Sequence, residues 1–203
     1  MADEQTPNSR HHGLQLPTEP SIFLFVGKPG SGKTYAMKSI LYTYAKAKHF
    51  KFAYCFCATK YNSEWTDVLP DRLVDDNYSD ERLDRYMNRL RNLRRERGHV
   101  SPNILLLDDL LGKIEFYSRE ITHFLATFRH TNTTVFISSQ YIGSRGSSTA
   151  LREYASYIFL WRCNTANAVD LLYQSFGRFC QSDQRHGLFD CVEDFHNMLY
   201  KAT

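Results

Sequence analysis

An apolar run, Ser21-Ile-Phe-Leu-Phe-Val26, leads straight into glycine, and beyond it Met37, Ile40, Leu41 and Tyr44 recur at helical spacing across Thr34 to Lys48. A continuous apolar stretch of that length predicts a strand covered on both faces, and the recurrence predicts a helix with one buried face. The unit is strand, glycine loop, helix. Lys51 to Ala58 is aromatic-rich and strand-like, whereas Thr59 to Asn77 is polar, contains Pro70 and reads as a loop with partial structure. Ser79 can cap a helix whose apolar stripe is Leu83, Tyr86 or Met87, Leu90 and Leu93. Asp80 and Glu81 suit its first turn and Gly98 its end.

Further along, Ile104 to Asp108 predicts a strand, and Ser118 to His130 a helix with Ile121, Phe124, Leu125 and Phe128 on one face. Thr134 to Ser139 predicts a strand ending at Gln140, Ser156 to Trp161 another, and Thr165 to Phe176 a helix stopped by Gly177. Gly187 to Val192 reads as a last strand, and Gly143 to Ser148 as a Gly/Ser loop expected to be mobile. Strands alternating with helices predict an α/β fold. Such a fold has a mostly parallel sheet, helices on both faces, and ligands at the carboxyl ends of the strands.

Composition narrows the class. At 203 residues, with 42% hydrophobic and 14% aromatic content, the chain can bury one substantial core but not two full domains. We expect a flexible tail over residues 1–20 and a single domain over 21–203. The tail lacks the basic start and apolar run of a secretory signal, and the apolar runs fall far short of the ~20 residues that cross a bilayer, so no membrane partner is expected. Five cysteines, with Cys55 and Cys57 two apart on a strand, suit reduced core thiols and an intracellular, reducing compartment. A net charge of +3 is mild, so an acidic partner must be argued from where the charges sit.

The chemistry is concentrated in three places. Gly27-Lys28-Pro29-Gly30-Ser31-Gly32-Lys33-Thr34 has the phosphate-loop spacing G-x-x-x-x-G-K-[ST] between a strand and a helix, where that loop has to stand. Small residues let backbone N–H groups close around phosphates, and the helix start adds its positive dipole. Lys33 reaches the β and γ oxygens, and the Thr34 hydroxyl suits Mg²⁺. The expected ligands are therefore ATP and Mg²⁺. Asn103-Ile-Leu-Leu-Leu-Asp108-Asp109 supplies the carboxylates: Asp108 for the metal through water, Asp109 to orient or deprotonate the attacking water. Gln140, at a strand tip, suits a sensor of the γ-phosphate and its water. Arg129 is a candidate charge-stabilising finger offered to a neighbouring subunit, and Arg145 competes for that role; a solvated arginine is the alternative for either.

Two further features admit more than one reading. Arg82, Arg85, Arg89, Arg91, Arg94, Arg95 and Arg97 crowd one helix against Asp80, Glu81, Asp84 and Glu96. Such a stripe can track a phosphate backbone, or be a solvated or subunit-pairing face. Cys180, His186, Cys191 and His196 raise zinc, but no Cys-x-x-Cys knuckle is present and the spacings fit no common finger.

With the phosphate loop, the Asp108-Asp109 strand and the Ile137-Ser-Ser-Gln140 strand in order, the chain resembles the poxvirus-type genome-packaging ATPases of the FtsK/HerA superfamily, P-loop NTPases of RecA/ASCE-like fold. The resemblance runs from about Ser21 to Phe176. It includes Cys57-Ala-Thr-Lys-Tyr-Asn-Ser-Glu-Trp65, the charged helix, and Phe128-Arg129-His130. It implies a homo-oligomeric ring that moves double-stranded DNA into a preformed capsid, with a capsid or portal protein as partner, at the host-cell site of virus assembly and in association with the virion. By position it carries nucleotide, magnesium, water and sensor roles to Lys33, Thr34, Asp108, Asp109 and Gln140, and the trans-acting arginine to Arg129. Asp109 departs from the glutamate usual in the wider superfamily, which is one methylene longer. Two other readings remain: a phosphate-loop nucleoside or nucleotide kinase, whose lid only Gly143 to Arg152 offers, and a nucleotide-dependent assembly switch.

Overall fold

The computed structural model describes residues 16–62, 64–110, 118–140, 149–161 and 166–176. The apolar run forms β1 (Ile22–Val26) and the periodic segment α1 (Lys33–Lys46), followed by β2 (Phe52–Cys57), the short β3 (Val74–Asp75) and α2 (Asp80–Arg97). Then come β4 (Asn103–Asp108), α3 (Arg119–Thr127), β5 (Thr133–Ser139), α4 (Thr149–Tyr154), β6 (Tyr157–Leu160) and α5 (Ala166–Phe176). The strands lie in the order β3-β2-β4-β5-β1-β6, and every described pairing is parallel. The expected α/β architecture is the observed one.

Strand alternation explains the two layers, because successive side chains leave a strand on opposite faces. Phe23 and Phe25 of β1, Ile104 and Leu106 of β4, and Phe136 of β5 pack with Met37, Ile40, Leu41 and Tyr44 of α1. Their alternates Ile22, Leu24, Leu105, Leu107, Val135 and Ile137 pack with Leu83 and Met87 of α2, Ile121, Phe124 and Leu125 of α3, and Leu172 of α5. Topology gives the same division. From β1 the chain crosses the sheet one way to β2, then returns through β4 and β5 to β6; right-handed crossovers in opposite directions put their helices on opposite faces.

The helix boundaries follow the expected signals. Ser79 Oγ accepts from Arg82 N and Ser118 Oγ from Ile121 N, so both serines cap. The third helix ends sooner than expected: Phe128–Thr131 tightens into a 3-10 turn, with Thr131 Oγ1 donating to Phe128 O, and Asn132 turns left-handed. The helix Thr149–Tyr154 was not expected, because within so short an element Leu151 is the single buried position described and no period can show. The anticipated strand Gly187–Val192, the stop at Gly177, the loop Gly143–Ser148, and residues 1–15 of the tail lie outside the described residues. Among the described residues no helix is long and apolar enough to cross a membrane.

A polar contact ties the start of α2 to the sheet edge. Asp75 accepts from Arg82 Nη1, from Asn77 N at 2.9 Å and from the Tyr54 hydroxyl at 3.2 Å. Burial works to raise the Asp75 carboxyl, but the Asn77 amide, the Arg82 guanidinium and the Tyr54 hydroxyl together outweigh it and hold the group below its ordinary range. A depressed carboxylate contributes stability above its unfolded pKa and loses it as pH falls through the folded one. Asp75→Asn is therefore expected to destabilise by about 1 kcal/mol at pH 7, with the gap to wild type closing below about pH 4, as read by urea unfolding at both pH values. A gap independent of pH would contradict a charge-based role.

Candidate functional site

The glycine loop is clamped where β1 leaves the sheet. Gly27 N donates to Ser139 O at 3.1 Å on one side, and Trp161 N donates to Val26 O at 2.9 Å on the other. A Cβ on Gly27 would sit 2.7 Å from Trp161 Cβ and 2.8 Å from Ser31 Oγ, so the close approach itself requires glycine. Lys28, Pro29 and Gly30 arch outward, exposed. Gly32 then takes a left-handed φ of 91°, which turns the chain into α1 with no acidic residue in the first turn to neutralise the helix dipole. The Ser31 hydroxyl is buried with no hydrogen-bond partner, a polar atom oriented within the cradle.

Lys33 is the first residue of that helix and is buried. Its Nζ donates to Gly27 O at 2.7 Å and Lys28 O at 2.9 Å, so the ammonium lies on the loop's own carbonyls. Burial pushes the Lys33 ammonium down from its ordinary range, while Asp108, Asp109 and Glu64 pull it back up. An arriving polyphosphate would supply further negative charge to a cation already in place.

Asp108 closes β4 with 1% of its surface exposed. Its Oδ2 accepts from the Thr34 hydroxyl at 3.0 Å and from the Trp65 indole at 2.8 Å. The register that pairs Asp108 with Cys57 of β2 brings in the segment after β2. There Trp65 is fully buried, and Thr59 Oγ1 donates to Glu64 Oε2 at 3.0 Å. Ligand atoms of Cys57, Glu64 and Asp108 all lie within 4.8 Å of one another. Burial pushes the Cys57 thiol up, and Mg²⁺ takes oxygen donors rather than thiols, which leaves the carboxylates and hydroxyl to define the site. Asp109, left-handed at φ 50°, donates its backbone N–H to Ser138 Oγ at 2.9 Å and accepts from Gln140 Nε2 at 2.8 Å.

The structure thus gathers Gly27 to Thr34, Asp108, Asp109 and Gln140 at the carboxyl ends of β1, β4 and β5. It does not bring Arg129 there. Arg129 is exposed in the turn that precedes β5, over the Phe128 ring at 5.4 Å, and the seven residues of β5 put about 20 Å between it and the site in the same chain. Arg145 and the candidate zinc set Cys180, His186, Cys191 and His196 lie outside the described residues. The sequence places Glu64, Trp65 and Ser138 within segments that carry the family resemblance but gives no role to them or to Trp161. The one signal available was an acid and a tryptophan together just past a strand end.

The arginine helix divides. Arg82 is bound to Asp75, Arg91 to His123 at 2.7 Å and Asn88 at 3.0 Å, and Arg94 to His130 O at 2.6 Å. Arg85 and Arg89 line a groove of 780 Å³ with Arg72, Tyr54, Tyr86 and the Asp75–Arg82 pair.

The residues present fit a magnesium nucleotide. A hydroxyl and a carboxylate held 3.0 Å apart are the hard oxygen donors that Mg²⁺ takes, and the loop packs against Trp161 only because Gly27 carries no side chain. A family model described as Poxvirus A32 protein matches residues 9–170. Uncharacterized protein 015R of Frog virus 3 (isolate Goorha) is 27% identical over 154 residues, 74% of this chain and 47% of that protein, so the chain spans about half the length of this curated relative. Among solved structures, the genome packaging NTPase B204 from Sulfolobus turreted icosahedral virus 2, in complex with ATP-gammaS, matches with a TM-score of 0.60 at 14% identity, over 85% of this chain and 90% of that one. The pCW3 conjugation coupling protein TcpA, monomer form with ATPgS, matches with a TM-score of 0.55 at 15% identity, over 76% of this chain and 52% of that one. At such identities the likeness is one of fold, the α/β fold of the P-loop NTPases. With residues 9–170 matched by its model, the chain belongs to the poxvirus A32 protein family.

Proposed function

We propose that this chain is an ATP-hydrolysing motor that moves double-stranded DNA into a viral capsid. The observation that carries the reading is the Thr34 to Asp108 hydrogen bond, which joins the phosphate loop to the acidic strand across 74 positions of sequence. Gly27 to Thr34 hold the triphosphate of ATP through backbone N–H groups, with Lys33 on the β and γ oxygens. Thr34 and Asp108 would hold Mg²⁺, which would supply charge stabilisation to the phosphates. Asp109 and Gln140, already hydrogen-bonded to each other, face the γ-phosphate and its water. Packaging is supported by membership of the poxvirus A32 family and by the likeness in fold to a genome packaging NTPase. The arginines of the groove, Arg72, Arg85 and Arg89, supply the positive charge that a phosphate backbone needs. Residues 21–203 act as one catalytic domain inside the host cell, where Cys55 and Cys57 stay buried thiols.

ATP hydrolysis by wild type and Lys33→Ala, with and without long duplex DNA at two salt concentrations, tests this reading. Wild type is expected to be stimulated several-fold by DNA, less so at high salt, and the variant to lose hydrolysis altogether. A rate indifferent to DNA, from protein that stays monomeric with nucleotide bound, would contradict it.

The same reading makes the protein a ring with ATP fired between subunits, because Arg129 sits far from its own site and is free to serve a neighbour's. Arg129→Ala is expected to lower hydrolysis at least 10³-fold while ATP binding persists, and mixing it with Lys33→Ala subunits is expected to restore part of the rate. No recovery in the mixture would rule out an arginine acting in trans.

A further inference from the structure

Glu64 is a carboxylate at this site to which the phosphate-loop, acidic-strand and glutamine motifs assign no role. It reaches the site on the segment that follows β2, and that segment is anchored without its help. Trp65, the next residue, is fully buried and donates to Asp108, and Lys38 holds Asp67 at 2.9 Å. Glu64 therefore stands directly before an anchored stretch. Thr59 Oγ1 donates to its Oε2 at 3.0 Å, and its carboxylate lies within 4.8 Å of that of Asp108.

Three carboxylates act on the Lys33 ammonium: Asp108, Asp109 and Glu64. Two of them are already engaged. Asp108 Oδ2 accepts from both Thr34 and Trp65, and Asp109 Oδ1 accepts from the Gln140 amide. Asp109 is also the shorter side chain, on a backbone whose left-handed turn is held by Ser138. Glu64 is the longer acid and, among the described residues, Thr59 is its one hydrogen-bond donor, which leaves acceptor capacity within 4.8 Å of the Asp108 carboxylate.

We infer that Glu64 accepts a hydrogen bond from the water that attacks the γ-phosphate and orients it for in-line displacement, while Asp109 holds Gln140 in place. In that step the water oxygen bonds to the γ-phosphorus, and the bond from phosphorus to the bridging oxygen breaks with its electron pair going to ADP. ATP and water become ADP, hydrogen phosphate and one proton, which passes to solvent. The assignment rests on the ATPase reading and adds to it a residue from the β2 side of the site. Thr59 is a positioning residue for that carboxylate.

The test uses the full chain with Glu64→Gln, which keeps the shape and the bond from Thr59 but weakens the acceptor. Single-turnover hydrolysis is expected to fall about 100-fold. Affinity for a fluorescent ATP analogue with Mg²⁺ is expected to change less than about threefold, and protein quenched after incubation is expected to carry ATP rather than ADP. Glu64→Ala, measured in the same way, guards against a fold or packing effect peculiar to the amide. Hydrolysis within about twofold of wild type in either variant overturns the assignment, and so does a loss of nucleotide affinity that matches the loss of rate. If wild type itself fails to hydrolyse ATP, the ATPase reading and this role fall together; if wild type is active and the variants keep pace, only the role of Glu64 falls.

Discussion

The carboxylate of Asp108 is the group around which the rest of the molecule is arranged. It is an acid with 1% of its surface exposed at the end of a buried strand, and such a group needs donors, since a buried charge stripped of them costs more than the roughly 1–3 kcal/mol of a neutral polar group. Two donors meet on one oxygen, the Thr34 hydroxyl from the phosphate loop and the Trp65 indole from beyond β2. Satisfying one buried charge therefore fixes the relative positions of three segments remote in sequence. The Thr34 hydroxyl, the acidic strand and the segment carrying Glu64 are brought into register by the same pair of hydrogen bonds.

The sheet makes that convergence possible. Parallel strands deliver their carboxyl ends to one edge, and pairing β4 between β2 and β5 sets Asp108 beside Cys57, with Leu107 opposite Ile137. The same geometry sends the segment before β5, with Arg129, to the opposite edge. A chain whose phosphate loop lies at one end and whose candidate finger lies at the other has the polarity needed to stack head to tail, one subunit's arginine against the next subunit's nucleotide. The proposed assembly draws on strand direction as well as on Arg129 itself.

Much of this was legible in the amino-acid order, and the reasons are local. The β1 run, the glycine spacing and the α1 stripe are short-range patterns whose meaning does not depend on the rest of the chain, and Ser79 and Ser118 cap helices through bonds to residues three positions on. What stayed hidden depends on contacts between distant residues. Nothing near Trp161 says that it will pack on Gly27, and nothing near Trp65 says that its indole will meet Asp108, 43 positions away. Glu64 sits in a polar loop, where an acid is ordinary until strand register sets it beside another carboxylate. The helix Thr149–Tyr154 is too short for its period to be read.

The most direct measurement is an experimental structure of the full chain with Mg²⁺ and a non-hydrolysed ATP analogue. The account predicts phosphates in the Gly27 to Thr34 loop, Lys33 Nζ moved from the carbonyls of Gly27 and Lys28 onto phosphate oxygen, and Asp108 still bound to the Trp65 indole beside the metal. Nucleotide bound elsewhere, or a filled loop in which Asp108 has left both Trp65 and the metal, would contradict it.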